Sequence, residues 1–362
     1  MWPDQRLIDL FGIDLPIVQA PMAGANGSAM VIAASEAGAL GSLPCAILDG
    51  DKVRAEVRVT RQQTSNAINL NFFCHKPAEP DPARDAAWKE ILSAYYAEFG
   101  LDENATAPAV NRAPFDENMC EIVEEAKPEI VSFHFGLPAK ALLDRVKAAG
   151  SRVMSSATTV EEAKWLEDNG CDAIIAQGYE AGGHRGMFLT DIVASQAGTF
   201  ALVPQVADAV DVPVVAAGGI VDGRGNAAAF ALGAAGVQIG TAYLFTPESL
   251  INDLHRNALK SARDDQTALT NLFSGRPARG VINRLMQEIG PISNAAPAFP
   301  TAGGALAPLK AAAEANRSSD FSSLWSGQAA GLCQEMTTAV LTKKLAEDAL
   351  ELFEKIGSNG SK

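Results

Sequence analysis

The stretch AIIAQGYEAGGHR, residues 173–185, turns from a short apolar run into a loop that packs three glycines, a carboxylate, an imidazole and a guanidinium into nine residues. Gly178, Gly182 and Gly183 let backbone approach a ligand closely and supply amide donors, while Gln177, His184 and Arg185 can bond oxygens or ring nitrogens. Two further blocks carry the same kind of chemistry. VVAAGGIVDGRG holds Gly218 and Gly219 ahead of a helix-like DGRGNAAAFALG, and VQIGTAYL holds Gln238, Ile239, Gly240 and Thr241. Amides, a hydroxyl and a helix N-terminus in that arrangement suit a phosphate; the bland alternative is a pair of tight turns.

Elements must bring these blocks together. Apolar runs at 16–19, 39–43, 67–73, 130–135, 152–156, 173–177, 212–217 and 237–241 are bounded by turn residues and read as eight strands. Between them, 28–37, 51–63, 83–99, 138–149, 160–169, 197–209 and 224–232 are long enough for helices and rich in Ala, Glu, Lys and Leu. Thr158 or Thr159 starts the helix VEEAKWLEDNG, with Glu161 and Glu162 in its first turn and Gly170 as its stop. This alternation predicts an α/β fold, a (β/α)8 TIM barrel over 1–245, with a smaller, mainly helical C-terminal region over 246–362. The second region is read as helical at 248–263 and 324–353 with a Pro/Gly/Ala-rich stretch at 291–308 between, covering the barrel mouth and packing back on the barrel. Residues 100–115 read as an extended loop and GSNGSK as a flexible tail.

Composition narrows the partners. The formal charge of −14, from 43 acidic and 29 basic residues, repels phosphate backbones and anionic lipid, so neither nucleic acid nor a membrane is expected. No window reaches the roughly 18 unbroken apolar residues of a membrane span, and the N-terminus carries Asp4 and Asp9 where a signal peptide needs positive charge. Five scattered cysteines with no C-x-x-C favour buried thiols over disulfides or zinc, hence a cytoplasmic protein; a monomer or homodimer is the separate expectation for its assembly. Cys74-His75 finds no further ligand at useful spacing, so no metal is expected.

In a barrel of this class, ligands sit at the C-terminal strand ends. Ala20, Pro21, Met22 and Ala23 follow the first strand; Asn69, Asn71 and Phe73 alternate onto one face of the third; His134 ends the fourth; and Ser155-Ser156 ends the fifth. Neutral amides, glycines, Met and aromatics suit a flat heterocycle with carbonyl and ring-nitrogen edges. A phosphate tail joined to such a ring describes FMN. The combination QAPMAG, INLNFFCHKP, VSFHFGLP, QGYEAGGHRG, VVAAGGIVDGRG and VQIGTAYL resembles the nitronate monooxygenase family, formerly 2-nitropropane dioxygenases, in its bacterial group with an active-site histidine. SGRPARGVINR and LWSGQAAGL resemble the family's C-terminal portion.

That resemblance implies FMN, O2 as oxidant and alkyl nitronates such as propionate 3-nitronate as substrates, giving carbonyl compound and nitrite. It places Pro21, Met22 and Ala23 under the flavin ring, Asn71 beside it, Gln177, Gly182 and Gly183 along its edge and ribityl chain, and Gly218, Gly219 and Gln238 to Thr241 at the phosphate. His134 matches the family histidine, which could accept the Cα proton of a neutral nitroalkane or hydrogen-bond an anionic nitronate. Relatives carry tyrosines over the pocket; this chain has only Tyr95, Tyr96, Tyr179 and Tyr243, and Phe299 is the candidate aromatic wall. His184 and Arg185 either supply positive field to the cofactor or form an exposed pair with Glu180, and Arg276, Arg279 and Arg284 either bind a substrate carboxylate or pair with local acids. His255 reads as a surface residue. The same barrel could instead serve an FMN-dependent NAD(P)H reductase of quinones or enoyl thioesters, or a lyase or isomerase of a phosphorylated metabolite.

Overall fold

The computed structural model describes residues 1–102 and 112–359. Eight parallel strands form the barrel: β1 (Ile17–Gln19), β2 (Gly41–Pro44), β3 (Ile68–Phe73), β4 (Ile130–His134), β5 (Arg152–Ala157), β6 (Ala173–Gln177), β7 (Val214–Ala217) and β8 (Gly236–Ile239). Each strand pairs in parallel with its sequence neighbour, β1 pairs with β8, and the ring closes where Leu40 N donates to Ile17 O and Gln19 N to Leu40 O, both 2.9 Å. Nearly every strand residue is buried, because the barrel interior covers one face and the helices the other. That double burial is why the strands read as unbroken apolar runs.

The bottom of the barrel is plugged by a helix that periodicity did not reveal, Arg6–Phe11. Its Leu7 and Phe11 join Val18, Leu40, Met154, Ile175 and Val215 in one buried cluster, and burial of two such side chains contributes about 3–6 kcal/mol. Gly236 has no room for a side chain because Leu7 and the Pro16 carbonyl lie against it.

The third βα unit departs most from expectation. The crossover helix that packs between its neighbours on the barrel is Glu117–Ala126, started by Asp116, whose carboxylate accepts from Met119 N at 2.9 Å. The expected helix 83–99 does form, as Pro82–Glu98, but it leaves the barrel and packs on Gly303–Ala315. Trp88, Leu92, Tyr95 and Tyr96 form a satellite core there with Leu272, Leu285, Met286 and Phe321. Of the loop expected over 100–115, residues 103–111 lie outside the described residues.

The chain after Thr246 contains more than helices. Thr267–Thr270 and Ala278–Val281 form an antiparallel pair whose second strand also takes Gly183–His184, tying the loop after β6 to the C-terminal region. The stretch read as Pro/Gly/Ala-rich, 291–308, runs into the helix Gly303–Ala315, and the helix expected over 324–353 begins only at Thr338 and runs to Asn359, so the first residues of the tail are helical. That last helix lies against Gly223–Ala231: Gly223 meets Asp348 and Ala349 too closely for a Cβ, and Asn226 Nδ2 donates to Leu345 O at 3.1 Å. Among the described residues no helix is long and apolar enough to cross a membrane.

Candidate active site

A cavity opens at the C-terminal ends of the strands. Of the residues singled out in the sequence, Ala20, Pro21, Met22, Ala23, Asn71, His134, Gln177, Gly182, Gly183, Gly218, Gly219, Gln238, Gly240 and Thr241 line it. Ile239 does not: its side chain is fully buried in the core between barrel and helices, and only its carbonyl serves the mouth, accepting from Ala20 N at 2.9 Å. This follows from strand alternation, which turns Gln238 inward and Ile239 outward.

His134 is aimed by the turn that follows it. Phe135 (φ 70°) and Gly136 (φ 91°) are both left-handed, a conformation costing about 1–2 kcal/mol for the aromatic residue, and Ser155 Oγ bonds to the Phe133 and Gly136 carbonyls at 3.0 and 2.9 Å. His134 Nε2 lies 3.2 Å from the His184 carbonyl and Nδ1 lies 3.1 Å from Ser156 Oγ. A carbonyl only accepts, so Nε2 carries the hydrogen and Nδ1 accepts from the serine hydroxyl. Burial lowers the imidazole pKa to about 4, so the ring is neutral near pH 7.

The loop after β6 is held by its own side chains. Gln177 Nε2 donates to His184 O at 2.9 Å and its Oε1 accepts from Gly186 N at 2.7 Å, leaving one hydrogen and one lone pair for a ligand. Arg185 is fully buried, bonding to the Gln177 and Gly178 carbonyls and to Gln196 Oε1. His184 places Nε2 2.9 Å from Ser274 Oγ, and burial holds its pKa well below the usual range. Neither belongs to an exposed pair with Glu180, whose carboxylate instead accepts from Thr199 N and Oγ1 at 2.7 and 2.8 Å, capping a helix.

The phosphate-type features divide unequally. The helix Gly223–Ala231 was expected to present free amides, but Asp222 Oδ1 already accepts from Arg224 N and Gly225 N at 3.0 and 3.3 Å. The amides of Gly218, Gly219 and Gly240 donate to no acceptor among the described residues. Gly240 leads directly into the short helix Thr241–Leu244. Gln238 Oε1, buried in the cavity wall, likewise has no partner. Spare amide donors and an unpaired amide acceptor fit a ligand with a phosphate and a ring N–H.

Residues 246–362 are expected from sequence to cover the mouth, but which of them line the cavity is not legible there. Trp325, Ser326 and Gly327 line the cavity from the C-terminal region. Gly327 N donates to Thr241 Oγ1 at 2.9 Å, and a Cβ on Gly182 would stand 2.5 Å from Gly327 N. His255, expected at the surface, lines the cavity and places Nε2 3.0 Å from the Trp325 carbonyl. The LWSGQAAGL block was the available signal, since a W-S-G step has the close-approach glycine that such a contact needs. None of Tyr95, Tyr96, Tyr179 and Tyr243 lines the cavity; Phe299 packs with Phe73 and Phe135 at its rim. Of the arginines in SGRPARGVINR, Arg284 pairs with Glu98 and Glu288, Arg279 donates to Tyr179 O and Thr267, and Arg276 has no carboxylate within reach among the described residues. No group of three metal-ligating side chains forms among the described residues.

The comparisons with known proteins match this geometry. A nitronate monooxygenase from Pseudomonas aeruginosa is 42% identical over 345 residues, covering 95% of this chain and 98% of that protein. Among solved structures, the nitroalkane oxidase of Streptomyces ansochromogenes superposes with a TM-score of 0.88 at 35% identity, covering 97% of this chain and 99% of its own. FabK from Thermotoga maritima follows at a TM-score of 0.74 and 26% identity, over 99% of this chain and 100% of its own. With the model for nitronate monooxygenase matching residues 4–348, this TIM-barrel chain belongs to the nitronate monooxygenase family.

Proposed function

We propose that this protein is an FMN-dependent nitronate monooxygenase that oxidises alkyl nitronates, such as propionate 3-nitronate, with O2 to a carbonyl compound and nitrite. The observation that carries the reading is the set of unengaged polar groups at one end of the cavity: the amides of Gly218, Gly219 and Gly240 and the Gln238 carbonyl oxygen. In this reading Gly218, Gly219, Gly240 and Thr241 hold the phosphate. Ala20, Pro21, Met22, Ala23, Asn71 and Gln177 would hold the flavin ring, and Gly182 and Gly183 would leave room for the ribityl chain. Residues 246–362 supply the cover through Trp325 to Gly327. The bound flavin supplies electron acceptance from the nitronate and reoxidation by O2.

The residues of the chain bind and orient. A nitronate arrives already deprotonated, so the site needs no strong base, and a neutral imidazole with a pKa near 4 is a weak one. His134, with Ser156 donating to its Nδ1, presents a fixed dipole to the nitro oxygens and keeps a proton at Nε2 against the His184 carbonyl. Buried apolar neighbours, Phe73 and Ile175, limit water at the reacting carbon.

The likeness to FabK keeps one rival specific, an NAD(P)H-driven reductase of quinones or enoyl thioesters on the same barrel. Nitrite release from propionate 3-nitronate in air, with no rapid anaerobic bleaching of the protein by NADPH, is the expected result. Bleaching by NADPH without nitrite would select the reductase.

A further inference from the structure

Across the barrel from the glycine loops of β7 and β8, Phe73 and Phe135 at the ends of β3 and β4 pack with Phe299 of the C-terminal region into an aromatic wall. Two guanidiniums rest on it. Arg112 lines the cavity with its guanidinium 5.8 Å from the Phe299 ring centre, and Arg276 lies 4.2 Å over Phe135, behind the wall. Neither has a carboxylate within 4 Å among the described residues, although this chain carries 43 acidic residues against 29 basic ones. Arg276 Nη1 is buried with no hydrogen-bond partner at all. His75, only 5% exposed, leaves Nδ1 unpartnered in the same cluster and packs edge-on 4.7 Å from Phe299. Glu162 lends Arg276 negative field from beyond ion-pair distance, but taking two cations partly out of water with no carboxylate beside them is costly unless an anion completes the set.

Resting on the proposed reaction, we infer that Arg112 and Arg276 form an anion-recognition subsite that selects nitronates bearing a second negative group, a carboxylate at the far end of a short chain. Arg112 contacts the carboxylate as a charge-assisted donor, and Arg276 acts through the wall, adding positive field. The phosphate end is excluded as the partner, because strand order places it opposite, at β7 and β8.

The test compares propionate 3-nitronate with propyl 1-nitronate, in which a methyl replaces the carboxylate, on the flavin-loaded wild type, Arg112→Met, Arg112→Lys and Arg276→Met. Loss of a charged hydrogen bond predicts a fall of about 10- to 100-fold in kcat/KM of Arg112→Met for the carboxylate substrate and less than about threefold for the other. Arg112→Lys recovers most of the loss, and Arg276→Met shows the same selectivity at smaller size. Equal losses on both substrates would overturn the subsite. Anaerobic calorimetric titration with 3-nitropropionate and 1-nitropropane reads binding without turnover. If wild type releases nitrite from neither nitronate, the reaction assignment fails on its own. The subsite then stands if Arg112→Met weakens 3-nitropropionate alone, and falls if that affinity is unchanged.

Discussion

Gly182→Ala puts one methyl group into the contact that joins cover to barrel. The added Cβ would stand 2.5 Å from Gly327 N and 2.6 Å from the Ser326 carbonyl carbon, both backbone, where ordinary contact requires at least 3.4 Å. The cover must therefore retreat by about 1 Å, which stretches the 2.9 Å bond from Gly327 N to Thr241 Oγ1 beyond hydrogen-bond range. Overpacking of this kind costs about 1–3 kcal/mol. If the unliganded variant relaxes by lifting the cover, the cost reappears on binding, and flavin affinity falls by about 5- to 150-fold. If it does not relax, the cost is paid in the fold. With an unfolding entropy of about 2.1 cal/mol/K per residue over 362 residues, it then lowers Tm by about 1–4 °C. In the thermal melt Gly183→Ala is the control: nothing lies within 4 Å of its Cβ, so it meets only the left-handed strain of φ 71°, about 1–2 kcal/mol, with no steric push on the cover. Flavin fluorescence titration and a thermal melt read both quantities. A Gly182→Ala protein with unchanged flavin affinity and unchanged Tm would refute the reasoning.

Three other outcomes follow from the site. His134→Asn should depress oxidation of a nitronate and of its neutral nitroalkane to a similar extent, because the ring orients substrate with both nitrogens engaged, and in wild type the nitronate rate should show no break near pH 6.5, because burial holds this imidazole pKa at about 4; a loss confined to the neutral nitroalkane, or a break at 6.5, would show a base instead. His75 and His134 are both lowered to about 4 and His184 well below 6.5, so the unfolded chain binds more protons than the folded one between about pH 6.5 and 4. Stability is therefore present above pH 6.5 and lost on acidification through that window, each histidine adding about 1.4 kcal/mol per pH unit; urea midpoints that stay flat down to pH 4.5 would contradict the buried, neutral assignment. Gly219→Glu places a carboxylate beside the amides at φ 72° and should yield folded protein without flavin, whereas full flavin content would move the phosphate elsewhere.

Strands and site loops were legible because each obeys a local rule. A doubly buried strand must be apolar throughout, and a loop that receives backbone or ligand closely must be glycine, so QAPMAG, AAGGI and QIGT could be placed before any fold was known. What was not legible depends on partners distant in sequence. Glu117–Ala126 is hard to read from sequence because Pro82–Glu98 is longer and by itself satisfies the expected βα alternation, yet the longer helix buries Trp88 and Tyr96 against residues some two hundred positions later. Gly223 looked like part of a phosphate loop and is instead where the last helix crosses. Arg185 looked exposed in a polar loop, and its burial follows from the Gln196 side chain and two carbonyls that only the folded loop brings round it. His255 sits on a helix with a polar periphery, and only the Trp325 carbonyl gives it an inward partner.

If the unengaged amides of Gly218, Gly219 and Gly240 hold the phosphate of FMN, the purified protein is yellow, holds one FMN per chain and loses it in Gly219→Glu. The visible absorption spectrum before and after mixing with FMN, with the released cofactor identified by mass, reads this. A colourless protein that gains no bound-flavin spectrum with excess FMN would contradict it.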